Sequence, residues 1–221
     1  MNTIIIPVGP TYQFFKETLQ SINNQLKNYE LIVGVDGFTD SLEEVHRLVK
    51  NMCPRFKLYY SESNIGPSIM RNTLCGFTHD MNVIFMDADD TIQPEFFMNL
   101  NNNFPKFNEA CRLALCNQRY RNTGIYDLNV FRSVGGYNPF LMVGEDNDLF
   151  RRFTKAGYNI GKEPKSIVNY RIHETNISKT TPDILKSMSR IYRKQTILDS
   201  EKHNVVIPYT YDENVHLIDS R

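Results

Sequence analysis

The chain of 221 residues has no run of about 18 apolar residues, so nothing in it reads as a membrane-spanning helix. An excess of charge is missing too. Its 25 Lys and Arg are balanced by 25 Asp and Glu, which removes the basic footprint expected of a chain that grips nucleic acid. The local group Arg112, Arg119 and Arg121 gains no support from that balance. Cysteine is scarce and scattered. Cys53, Cys75, Cys111 and Cys116 form no CxxC pair and no His/Cys cluster, which speaks against zinc and against an oxidising compartment, so free thiols in a cytoplasmic protein are expected. No internal repeat or low-complexity linker interrupts the chain. The segment MNTIIIPVGP has no basic region before its short apolar patch and reads as a first strand, not a signal peptide.

What is present fits one α/β domain over residues 1–221, with its core in a mainly parallel sheet covered by helices on both faces. Ile4 to Val8, Leu31 to Val35, Phe56 to Tyr60 and Val83 to Met86 are short apolar runs rich in β-branched residues, the pattern of strands buried on both faces. Between them lie helical stripes. Phe15, Leu19, Ile22 and Leu26 form one, and Leu42, Val45, Leu48 and Val49 form another, opened by a Ser41/Glu44 capping box. Gly66-Pro67 opens a third helix and Pro94 a fourth. Beyond about residue 105 the pattern loosens. A strand is predicted from Cys111 to Gln118 and another from Ser166 to Ile172. A helix after Gly144 is stopped by Gly157, and a last helix is expected over 182–200 with Ile184, Met188, Ile191 and Leu198 on one side. The last twenty residues show no clear period.

In such sheets ligands bind beyond the carboxyl ends of the parallel strands, so the acids there matter. Asp87, Asp89 and Asp90 place three carboxylates within four residues at a strand end. They repel one another unless a cation lies among them, and oxygen ligands suit Mg2+ or Mn2+. Read as local sequence, the same run is also an acidic turn with Asp90 capping the next helix. Asp36 at the end of the second strand is either a turn residue before Gly37 or an acceptor for a base or ribose. Glu145 and Asp146 at a helix N-terminus are either caps or a general base. His173 after a strand is either structural or a ligand.

Taken in order, the segments IIIPV, LIVGVDGFTD, ESNIGPSIMRN, VIFMDADD, GGYNPFLMVGEDNDLFRRFTKAGY and YRIHETNIS resemble the family 2 glycosyltransferases, inverting enzymes of GT-A fold, over about residues 3–178. The resemblance implies a nucleotide-binding half over about 1–105, an acceptor and catalytic half over 106–180, and a C-terminal helix and tail over 181–221. It implies nucleotide contacts at Pro7 and Val8 through backbone groups, at Asp36 for the base, at Arg71 near the nucleotide, and at Asp87 near the ribose. Asp89 and Asp87 form the DxD pair, with Asp89 the direct ligand of Mn2+ or Mg2+ and His173 completing the metal or diphosphate site. Asp146 matches the catalytic base, with Glu145 close to the acceptor. The implied donor is a nucleotide-diphosphate sugar, UDP-linked by preference. The acceptor is a hydroxyl, a saccharide by preference, with a modified nucleobase left open. Val35 stands where the family has a first acid, Phe38 where it has serine, and Gly9-Pro10-Thr11 where it has Tyr-Asn. A catalytically silent nucleotide-sugar-binding module is the alternative. A nucleotidyltransferase would need a basic, glycine-rich phosphate loop, and only Lys16 lies near Gly9-Pro10.

Overall fold

A computed structural model describes residues 2–10, 12–25, 29–38, 42–117, 119–141, 143–176, 179, 181–183, 185–187, 189–190 and 209–221. Leu26, Ser41, Gln118 and the apolar residues expected to line a helix over 182–200 lie outside the described residues.

Strands β1 (Asn2–Val8), β2 (Tyr29–Asp36), β3 (Phe56–Ser61) and β4 (Asn82–Phe85) are parallel neighbours in the order β3-β2-β1-β4. Helices α1 (Phe15–Asn23), α2 (Leu42–Met52) and α3 (Gly66–Cys75) alternate with them. The apolar runs explain the arrangement. Ile4, Ile6, Val8, Leu31, Val33 and Val35 pack on one face with α1 and α2, while Ile5 and Ile32 pack on the other with Met70 and Leu74 of α3. Alternate residues of one strand thus feed two cores, as period-two geometry requires. On the α3 face Gly34 lets helix and sheet approach closely: a Cβ there would lie 2.4 Å from Met70 Sδ and 2.8 Å from Leu74 Cδ1.

The second half extends the same sheet differently. β5 (Thr91–Ile92), β6 (Glu109–Cys116), β7 (Arg119–Asp127) and β8 (Asn159–Asn169) complete the order β5-β8-β6-β7-β4, with β7 antiparallel to both β4 and β6. Helix α4 (Phe96–Asn103) covers the α1 side, and α5 (Leu128–Ser133) and α6 (Glu145–Lys155) cover the α3 side. So helices lie on both faces, and the parallel pairs are those among the first four strands together with β6–β8, while β7 and the edge strand β5 run antiparallel to their neighbours. β9 (Val215–Ser220) adds an antiparallel edge beside β3.

Five elements depart from the sequence reading, among them the edge strands β5 and β9, which it does not contain. β7 and α5 have no counterpart in it; Asn122 to Tyr126 are buried, and the β7 ladder to β4 holds a strand whose sequence, RYRNTGIYD, carries few apolar residues. β8 begins at Asn159, ahead of the expected Ser166, because it is held by its ladder to β6 more than by apolar burial. It stops at Asn169 and does not reach Ile172, since the Arg171 amide donates to the Asp90 carboxylate (3.0 Å) in place of a strand partner.

Candidate functional site at the carboxyl edge of the sheet

The parallel strands β1, β2 and β4 end together, which brings Pro7, Asp36 and Asp87 to one edge. Pro7 is half-buried. Val8 is fully buried in the core, so it has only backbone to offer a ligand. Asp36 is also buried. One carboxylate oxygen accepts from Ile65 N at 2.7 Å and the other from Gly66 N at 2.9 Å, so the side chain caps the start of α3. Gly37 (φ 72°) permits this close approach, since a Cβ there would stand 2.2 Å from Asn64 N. Burial pushes Asp36 up to about 6, against the pull of the two amides, with the Asp212 carboxylate adding to the rise. A base contact by Asp36 would therefore use lone pairs left over from this cap.

By fixing the start of α3, Asp36 also fixes Arg71, one helical turn further on. The buried Arg71 guanidinium meets Asp87 Oδ1 through Nη2 at 2.7 Å and Glu145 Oε1 through Nη1 at 3.5 Å, and it stacks over Tyr137 at 5.2 Å. Burial works against its charge, but the Asp87 and Glu145 carboxylates outweigh that and raise its pKa further. Asn122 Nδ2 donates to the same Asp87 oxygen at 3.2 Å.

Asp87, Asp89 and Asp90 offer carboxylate oxygens that all lie within 4.8 Å of one another. The Thr18 hydroxyl donates to Ala88 O at 2.8 Å and so ties the loop to α1. Asp89 Oδ2 faces His173 Nε2 at 2.9 Å and accepts from Asn176 Nδ2 at 3.3 Å, and His173 Nδ1 meets the Thr175 hydroxyl at 2.7 Å. Burial and the Asp87 charge raise Asp89, and His173 pulls the other way. Asp90 is fully buried and does not cap α4. Its Oδ1 accepts from Arg171 N, and its Oδ2 is buried with no hydrogen-bond partner. Burial first, then Asp87, pushes Asp90 up to about 8. Three crowded carboxylates with one orphaned buried oxygen suit a hard cation, which would offset the rise at Asp89 and Asp90 and occupy the unmet acceptor.

At the start of α6 the paired acids part company. Glu145 turns inward to Arg71, and burial pushes it up to about 7 despite that partner. Asp146 stays half-buried and accepts only from the adjacent Asn147 amide among the described residues (2.7 Å). The edge thus joins Asp87, Asp89, Arg71, Glu145 and His173, with Asp146 on the next residue of the same helix turn. Asp90, expected as the third acid of the run, joins them, and so does Asn122, which is not expected as a site residue. Asp90 is visible in the DADD run itself, whereas Asn122 carries no local signal.

A mixed α/β sheet whose parallel strands bring an acidic cluster, a buried arginine and a helix-start acidic pair to one carboxyl edge has the GT-A transferase fold that the solved structures below share. The model of "Glycosyl transferase family 2" matches residues 3–163, well over half of the chain, and the chain belongs to that family. It is 35% identical over 95 residues to Glycosyltransferase GlyA of Streptococcus pneumoniae, covering 42% of this chain and 14% of that protein. It is 32% identical over 98 residues to the minor teichoic acid biosynthesis protein GgaA of Bacillus subtilis, covering 41% of this chain and 22% of that protein. The chain therefore spans a minor part of these relatives. S. aureus TarS 1-349 in complex with UDP-GlcNAc superposes with a TM-score of 0.70 at 19% identity, over 90% of this chain and 66% of that one. The mannosyltransferase PcManGT of Pyrobaculum calidifontis, in complex with GDP-Man and Mn2+, gives 0.73 at 13% identity, over 89% and 64%. These likenesses show the fold. No helix of the described residues is long and apolar enough to cross a membrane.

Proposed function

We propose that this chain transfers a sugar from a nucleotide-diphosphate sugar, UDP-linked, to an acceptor hydroxyl of a saccharide, with inversion at the anomeric carbon. The observation that carries the reading is the Asp87–Asp89–Asp90 cluster with its unmet buried oxygen, joined through Arg71 to the helix that bears Asp146. Membership of family 2 supports it, as does the nucleotide-sugar that TarS holds on the same fold. In this reading residues 1–105 bind the donor, 106–180 carry the acceptor side, and the chain is one domain. The four buried free thiols fit a reducing, cytoplasmic setting.

A divalent cation, Mn2+ or Mg2+, held by Asp89 and Asp87 with His173, would neutralise charge on the departing diphosphate, an effect worth several kcal/mol. The rest of the chemistry falls to side chains and backbone. Pro7 and Val8 offer backbone groups to the nucleotide, and Asp36 holds the loop on which the base would rest. Asp146 accepts the acceptor's hydroxyl proton as the oxygen bonds to the anomeric carbon and the bond to the diphosphate breaks. A positioned base contributes about 10² to 10⁴ in rate. Arg71 stands between Asp87, on the loop just beyond β4, and Glu145 at the first turn of α6.

The test is a thermal-shift panel of UDP-, GDP-, dTDP- and CDP-sugars, each with and without Mn2+, repeated on Asp89→Ala. A ligand at 100 times its Kd stabilises the fold by about 2.7 kcal/mol. Metal-dependent stabilisation by UDP-sugars, lost in the variant, is expected. Stabilisation without transfer to any hydroxyl acceptor would favour a silent nucleotide-sugar-binding module, and no stabilisation at all would reduce the reading to the fold.

A further inference from the structure

Arg71 is shared unequally between two acids from distant parts of the chain. Toward Asp87 it makes a hydrogen-bonded ion pair at 2.7 Å, reinforced by Asn122 on the same oxygen. Toward Glu145 it stands at 3.5 Å without a hydrogen bond, and both Nη1 and Nε are buried with no hydrogen-bond partner. Buried guanidinium donors are costly to leave unmet, so the second arrangement, with Nη1 drawn fully onto Glu145, lies a small movement away. The surroundings restrict the guanidinium to these two acids. Tyr137 covers one face, and the side chain is almost wholly buried. Glu145 opens α6, and Asp146 follows it directly.

We propose that Arg71 is a positioning residue that couples the acidic cluster to the base-bearing helix. While Asp87 holds Arg71, Glu145 and the first turn of α6 are held loosely. When Asp87 is drawn into cation and donor binding, the guanidinium passes to Glu145 and fixes that turn, and with it Asp146. Donor-side binding thereby prepares the acceptor side. The inference rests on reading the cluster as a cation site. It goes further in giving Glu145, which need touch neither cation nor nucleotide, a measurable effect on cation affinity.

The experiment is Mn2+ binding to the chain with neither donor nor acceptor present, read from the electron paramagnetic resonance signal of free Mn2+. It compares wild type, Glu145→Gln, Arg71→Lys and the double variant. Glu145→Gln deprives Arg71 of its second partner, so the guanidinium competes harder for Asp87 and Mn2+ binding weakens by about fivefold or more, the lower range of coupling between sites. Arg71→Lys keeps the charge but cannot span both acids. In that background Glu145→Gln should change Mn2+ affinity by less than about twofold, leaving only the direct pull of the Glu145 charge. Melting temperatures confirm that each variant is folded, and Arg71→Gln replaces Arg71→Lys if the latter is not. An equal effect of Glu145→Gln in both backgrounds, or none in wild type, overturns the coupling and leaves the cation site standing. A free Mn2+ signal unchanged by wild type and every variant overturns the cation site and the coupling together.

Discussion

Replacing Asp36 by asparagine tests how the carboxyl edge is assembled. In the folded chain Asp36 is pushed up to about 6 from an ordinary 3.8, chiefly by burial. Between those values the unfolded chain has lost the Asp36 proton while the folded chain still holds it. The folded state then binds more protons, so stability falls as pH rises from about 4 to about 6 and levels off above. The gap corresponds to about 3 kcal/mol. An asparagine side chain at this position cannot ionise, and it presents one acceptor oxygen to two amides, Ile65 N and Gly66 N, leaving one buried N–H unmet at about 1–3 kcal/mol. Asp36→Asn should therefore be less stable than wild type by about 1–3 kcal/mol at pH 4, and equal to it or somewhat more stable at pH 7.5. Urea unfolding of both proteins across that range measures the difference directly, and taking the difference cancels the contributions of Asp90 and Glu145. Parallel profiles, with the gap changing by less than about 1 kcal/mol, would mean that Asp36 is not ionised at a cost inside the fold, and that the cap on α3 is held otherwise.

The remaining expectations concern the site and its support. Asp146→Asn should lower transfer by about 10² to 10⁴ while leaving donor-induced stabilisation intact, and wild-type turnover would remove Asp146 from the base role. His173→Ala should weaken Mn2+ binding by about 10- to 100-fold if the imidazole holds or orients a ligand of the cluster, as its 2.9 Å approach to Asp89 suggests; titration calorimetry reads this, and unchanged affinity would make His173 structural. Gly34→Ala forces a methyl against Met70 and Leu74 and should destabilise by about 1–3 kcal/mol in chemical denaturation. A neutral result would show that α3 can lift from β2 without loss.

Local signals carry the first half of the molecule. The runs Ile4 to Val8, Leu31 to Val35 and Val83 to Met86 announce strands, because a strand buried on both faces must be apolar at every position. Asp36 and Asp87 can be placed at one edge because parallel strands joined by helices end on the same side. The cluster of carboxylates is visible because its members are neighbours in the chain. Beyond residue 105 the signals fade. β9 draws its hydrogen bonds from the β3 edge, so its own residues, VHLIDS, carry little apolar pattern, and β7 is held by its ladders to β4 and β6.

Pairings between distant residues are decided only by packing. The family resemblance implies Arg71 near a nucleotide and Glu145 near an acceptor; the tertiary structure puts the two against each other, 74 positions apart, because α3 and α6 cover the same face of the sheet. It likewise gives Asp36 to the amides of α3, Asn122 to Asp87, and Arg171 N to Asp90. An acid at a strand end declares its charge and its edge in the sequence. Which partner neutralises it depends on which helix is brought within hydrogen-bond reach, and that follows from the burial of two cores at once.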